Sequence, residues 1–228
     1  MYFYNDPFMP LIFIALIFSF WAQWRVRSTY RKYSDEQAAS GMSAAQLAKK
    51  ILDSEGLSDI PVELAQGELT DHYDPREKVL RLSSGVYNSK SIAAYGIAAH
   101  EAGHAIQHSR LFAPLMLRNN FFPVANFGSN LGPILFFLGI IFSFPALMDI
   151  GIMFFALAVF FSLITLPVEF DASRRALYVL ADGKYLKEKE ISGARNVLNA
   201  AALTYLAATL MAVLQLARLL LLRNSRDD

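Results

Sequence analysis

Gly96-Ile97-Ala98-Ala99-His100-Glu101-Ala102-Gly103-His104-Ala105 is the stretch on which the reading of this chain turns. It lies in a segment, from about Ser89 to Ser109, whose spacing predicts one helix. Residues four apart share a helix face, so His100 and His104 can offer two imidazoles to a single ion. Glu101 is offset by one residue, beside such an ion without ligating it. There it could take a proton from a water that the metal has made acidic. The flanking Ala98, Ala99, Ala102, Gly103 and Ala105 keep the helix slim, so a second helix or a substrate backbone can come close. The ordinary alternative is a pair of hydrogen-bonded histidines with no metal.

Composition narrows the setting. The chain of 228 residues is 54% hydrophobic and 18% charged, against roughly 45–50% and about 25% in soluble domains. The excess falls in long runs, which points to a lipid bilayer. A net charge of +1 gives no global basic field, so nucleic acid is not an expected partner. With no cysteine, disulfides and thiolate metal sites are excluded, and a metal must be held by nitrogen and oxygen.

Outward from the motif, the first apolar run covers residues 8–24, roughly 17 residues and enough for a short span. Asp6 precedes it, while Arg25, Arg27, Arg31 and Lys32 follow, the pattern of a retained anchor with its N-terminus outside and the next segment in the cytoplasm. Residues 34–112 form a soluble unit. Ser43 is an N-cap for a helix through Leu52, which Gly56 stops. Strands are predicted at Ile60–Leu64, Glu68–Tyr73 and Lys78–Leu82, with hairpin-turn chemistry at Asp74-Pro75-Arg76-Glu77. A membrane hairpin is predicted over 120–168, with spans near Phe121–Phe144 and Ile150–Pro167. A polar segment at 169–196 then returns to the cytoplasmic side, and a last apolar helix covers 197–222, with Arg218 placed awkwardly inside it. The expected fold is an α-helical membrane protein of about four transmembrane helices. It carries a small α+β zincin-like unit and a short antiparallel hairpin before the active-site helix.

A catalytic zinc needs three protein ligands. His108 drifts about 80° around the helix from His100, and His72 falls on the hairpin, so neither is well placed. Glu169 follows the third span immediately, where a carboxylate is costly unless it has a partner. If the membrane hairpin returns the chain to the motif helix, Glu169 arrives where a third ligand is required. Asp171 is its nearest rival and would point about 200° away on a helix. Interfacial pairing with Arg174 or Arg175 is the other reading of Glu169. Tyr205 is a weak candidate for stabilising an oxyanion, with Arg174 and Tyr178 weaker still. Asn119, Asn120, Asn126, Ser129 and Asn130, near or within the second span, would serve inter-helix hydrogen bonds or a wet path to the metal.

These residues resemble the membrane gluzincins of the CAAX-prenyl protease and heat-shock membrane protease type, which share a His-Glu-x-x-His motif. They are more closely similar to the bacterial neutral zinc metallopeptidase family of YugP-like membrane proteins. The likeness is carried by residues 69–76, 96–105 and 169–176 and covers nearly the whole chain. It implies Zn2+, with His100, His104 and Glu169 as ligands and Glu101 as the base. One departure is Ser173, where the prenyl-protease pattern has aspartate; contact to a ligand histidine would come from Ser173 or elsewhere.

The expected activity is metalloendopeptidase cleavage of membrane-associated proteins or peptides. The setting would be a multi-pass bacterial plasma-membrane protein with its active site on the cytoplasmic side. Two rival classes are a non-proteolytic scaffold with a structural zinc, closed by His72 or His108, and a zinc hydrolase of lipids or other amides. Oligomeric state is not legible in the sequence.

Overall fold

The computed structural model describes residues 6–67 and 69–225. Among the described residues, seven helices and three strands follow in the order α1 (Phe8–Ser34), α2 (Ala44–Ser54), β1 (Val62–Ala65), β2 (His72–Asp74), β3 (Val79–Ser83), α3 (Ser84–Tyr87), α4 (Ile92–Ser109), α5 (Ala113–Ile141), α6 (Pro145–Asp182) and α7 (Glu188–Asn224). The protein is mostly helical with a small three-stranded sheet. Four helices, α1, α5, α6 and α7, are long and apolar enough to cross a membrane. The chain divides into two compact units. One gathers 6–22, 116–167 and 204–225, and the other 23–115 and 168–203.

The second unit is built by local signals of capping and turn chemistry. Ser43 caps α2 through its hydroxyl to the Gln46 amide, and the Gln46 side chain returns the bond to the Ser43 amide. Gly56, at φ +75°, ends the helix. The sheet has the order β1-β3-β2. β1 runs parallel to β3, and β2 pairs antiparallel with β3 in the register His72↔Arg81, Tyr73↔Leu80 and Asp74↔Val79. Asp74 Oδ1 accepts from the amides of Arg76 and Glu77 and so closes the turn between them. The second strand is shorter than the composition suggested, and Glu68, its expected first residue, lies outside the described residues. After the short helix α3, α4 begins at Ile92, close to the expected start, with Ser91 as its cap. The core joins one face of α2 (Leu47, Ile51, Leu52) to Leu80 and Leu82 of β3. It continues through Tyr95, Ala98, Ala102 and Ile106 of α4, Ala176 and Leu180 of α6, and Ala194 and Leu198 of α7.

In the first unit, α5 and α6 pack antiparallel, with Phe121 on Phe160 and Phe127 on Phe154. They approach closely where Gly132 and Gly151 face each other: a Cβ on Gly151 would sit 2.7 Å from Gly132 O. Small residues are what permit such backbone approach between membrane helices. Arg218, which seemed misplaced in an apolar run, donates to the buried Asp6 at 2.6 Å. Arg223 likewise pairs with Asp149 at 2.7 Å. Ion pairing removes the cost that an isolated charge would carry there.

Among the boundaries that differ from the sequence reading, two bracket the polar segment 169–196. Pro167 was expected to end a span, yet α6 runs through it for 38 residues, about 57 Å and longer than a bilayer core of about 30 Å. A proline removes one amide and hinders the preceding turn, but an established hydrogen-bond ladder on either side carries a membrane helix across it. The polar residues from Glu169 to Asp182 are therefore helical, and α7 begins at Glu188, earlier than 197.

Candidate metal centre

α4 and α6 supply the centre, all of it within the unit of 23–115 and 168–203. One helical turn stacks His100 and His104, whose rings meet edge to face at 4.8 Å. Glu169, 2% exposed, comes from α6. Its Oε2 lies 3.2 Å from His100 Nε2 and 3.7 Å from His104 Nε2. Among the described residues these three form the group able to hold a metal, with all ligand atoms within 4.8 Å of one another. Donors bonded tetrahedrally to zinc at about 2.0–2.2 Å stand roughly 3.3–3.5 Å apart. Glu169 Oε2 stands near that spacing from each nitrogen, and two imidazole nitrogens with a carboxylate oxygen are a donor set that suits zinc.

Both imidazoles are held from behind. His100 Nδ1 lies 3.2 Å from Ser173 Oγ, the position where the related pattern has aspartate. His104 Nδ1 lies 3.0 Å from Gln107 Oε1. The fully buried Gln107 amide then donates to Val168 O at 2.8 Å and to Asp171 Oδ2 at 2.9 Å. Asp171 in turn receives Arg174 and Arg175. Asp171 thus spends its oxygens on Gln107 and the two arginines, and belongs to the supporting network. Burial disfavours charge on His104, but the Glu169 hydrogen bond and the Glu101 and Glu169 carboxylates outweigh it. Its pKa lies above the ordinary imidazole value.

Glu101 is buried, and its Oε2 accepts from the Tyr73 amide of β2 at 3.1 Å. Leu80, opposite Tyr73, sends its own amide to Pro61 O on the far side of β3. The Tyr73 amide therefore points off the free edge of β2. The Tyr73 hydroxyl lies 2.9 Å from His108 Nδ1. Burial, aided by the Asp74 charge, pushes this phenol up to about 12. His72 is exposed and holds Thr70 O through Nδ1. Neither His72 nor His108 joins the ligand group. Tyr205 lies on α7 in the other unit.

Sequence reasoning missed Gln107 and Tyr73. A polar, uncharged side chain three residues beyond a candidate ligand, inside an apolar helical run, was a usable signal for Gln107. Nothing local marked the Tyr73 amide, which acts through its backbone.

The fold and centre define a class. The chain belongs to the family described as "Putative neutral zinc metallopeptidase", whose model matches residues 8–224. It is 47% identical over 222 residues to the Bacillus subtilis (strain 168) protein named "Putative membrane protease YugP", covering 97% of this chain and 99% of that one. No solved structure matches it. Zinc is thus the metal that the family description indicates, and a membrane setting accords with the four apolar helices.

Proposed function

We propose that the protein is a zinc-dependent endopeptidase of membrane-associated proteins or peptides, with His100, His104 and Glu169 as ligands and Glu101 as general base. The observation that carries the reading is the convergence of three ligand atoms from two helices beside a buried carboxylate that is not one of them. Zinc supplies Lewis acidity, acidifying water and polarising the scissile carbonyl. The Tyr73 amide anchors Glu101 by Oε2, leaving Oε1 to take the proton from attacking water. As oxygen bonds to the carbonyl carbon and the C–N bond breaks, Glu101 passes that proton to the departing amine. His72 and His108 are turned to other partners, which speaks against a four-residue structural site. An extended peptide laid along the free edge of β2 would run beside Glu101, so strand addition is the binding mode this arrangement favours. In that reading 34–112 is a zincin-like unit.

Basic residues after the apolar part of α1, and at Arg174, Arg175, Lys184, Lys187 and Lys189, support a centre on the cytoplasmic side of a bacterial plasma membrane, with the N-terminus outside. The decisive experiment pairs Glu101→Gln with Glu169→Ala in the purified full chain. Glu101→Gln is expected to keep zinc and abolish cleavage of an unstructured reporter, and Glu169→Ala to lose zinc. Full activity in the first, or normal zinc content in the second, overturns the assignment.

A further inference from the structure

Between Arg118 and the end of α5 at Ile141 the helix carries no charge. That interval is about 34 Å of helix, close to the thickness of a bilayer core. Asn126, Ser129 and Asn130 lie in its middle, and all three are exposed. The side of α5 turned to α6 is a different one, formed by Gly128 and Gly132. Counting back from Ile141, Asn130 sits about 16 Å and Asn126 about 22 Å from the turn into α6. Asparagine is too short to reach an interface from that depth.

The hydrogen bonds on this face leave much unsatisfied. Ser129 Oγ and Asn130 Nδ2 both donate to the Asn126 backbone carbonyl, at 3.0 and 2.7 Å. The Asn126 side-chain amide and Asn130 Oδ1 have no partner among the described residues. In hydrocarbon, unpaired amide groups are costly enough to demand a cover. Asn119, half-buried, falls one heptad before Asn126, so the polar positions 119, 126 and 130 follow one seam of the helix.

We propose that this seam is where a second copy of the chain docks, the two α5 helices meeting with Asn126 and Asn130 of each bonded to their counterparts. A primary amide both donates and accepts. The face is therefore complementary to itself across a twofold axis, which is how most homodimers close. The inference rests on α5 crossing the bilayer and is independent of the peptidase chemistry.

The chain has no cysteine, so single cysteines report contact cleanly. Phe137, exposed and one heptad beyond Asn130, lies on the seam; Leu163 of α6, also exposed, lies off it. The full chain is reconstituted in vesicles of phosphatidylethanolamine and phosphatidylglycerol and oxidised at falling protein-to-lipid ratios. Phe137→Cys is expected to give a covalent dimer that survives dilution, and Leu163→Cys is not. Adding Asn126→Leu and Asn130→Leu should lower the Phe137→Cys dimer roughly tenfold. Glutamine at both positions should restore most of it. Monomer at every ratio, equal yields at 137 and 163, or full dimer in the leucine pair would overturn the proposal. So would cross-linking only to another polypeptide in native membranes.

Discussion

His104 can turn Nε2 toward Glu169 because its Nδ1 is already committed to Gln107. Gln107 is fixed in its turn by Val168 O and Asp171, so its carbonyl oxygen cannot swing away. Such partners orient a ligand before the metal arrives, and losing one commonly weakens metal affinity about 10–100-fold. Gln107→Leu is therefore expected to lower zinc affinity by roughly that factor in chelator competition, whereas exposed Gln66→Leu should leave it unchanged. Equal affinities in wild type and Gln107→Leu would show that the imidazole needs no such support.

At the scale of elements, the centre depends on how near α4 comes to α6. Gly103 stands at the crossing, where an added Cβ would lie 2.8 Å from Ala172 O. Backbone cannot yield as a side-chain tip can, so Gly103→Ala must push the helices apart. Overpacking of this kind costs about 1–3 kcal/mol, and here it would also draw Glu169 away from both histidines. The expected outcome is a lower unfolding temperature together with weakened zinc binding. Gly96 on the same helix is the control, because its added Cβ meets Ala194 at an ordinary 3.6 Å. Gly96→Ala should be neutral or slightly stabilising through helix propensity. If Gly103→Ala binds zinc as wild type does, close approach of the helices is not what sets the site.

Across the whole molecule, half-buried Arg218 joins the buried Asp6, 212 residues away in the chain. Removing one partner leaves the other charged and unsatisfied, which is usually worse than replacing both by apolar side chains. Arg218→Leu alone should lower the unfolding temperature of the detergent-solubilised protein more than Asp6→Leu with Arg218→Leu does. A double variant as unstable as the single, or more so, would contradict this account of the pair.

Local chemistry made much of this protein legible without coordinates. The Ser43 cap, the Gly56 stop, the Asp74 turn, the four apolar helices and the His100–Glu101–His104 spacing all depend on neighbours within a few residues, so sequence carries them. The likeness to a zinc peptidase family was readable for the same reason, since its residues stand in short unbroken stretches. What sequence could not fix were relations between distant segments. Whether α6 would continue through Pro167 depended on the helix on either side of it, and the partner of Arg218 lay 212 residues away. Glu169 was a reasoned candidate beside Asp171, but the approach of α6 to Gly103 decided which carboxylate meets the histidines. Tertiary packing likewise recruited Gln107 and the Tyr73 amide, whose importance comes from what they face. The motif, then, was written in the chain; the carboxylate that meets the histidines, and the groups that hold the imidazoles and Glu101 in place, were chosen by how two helices and one strand edge pack.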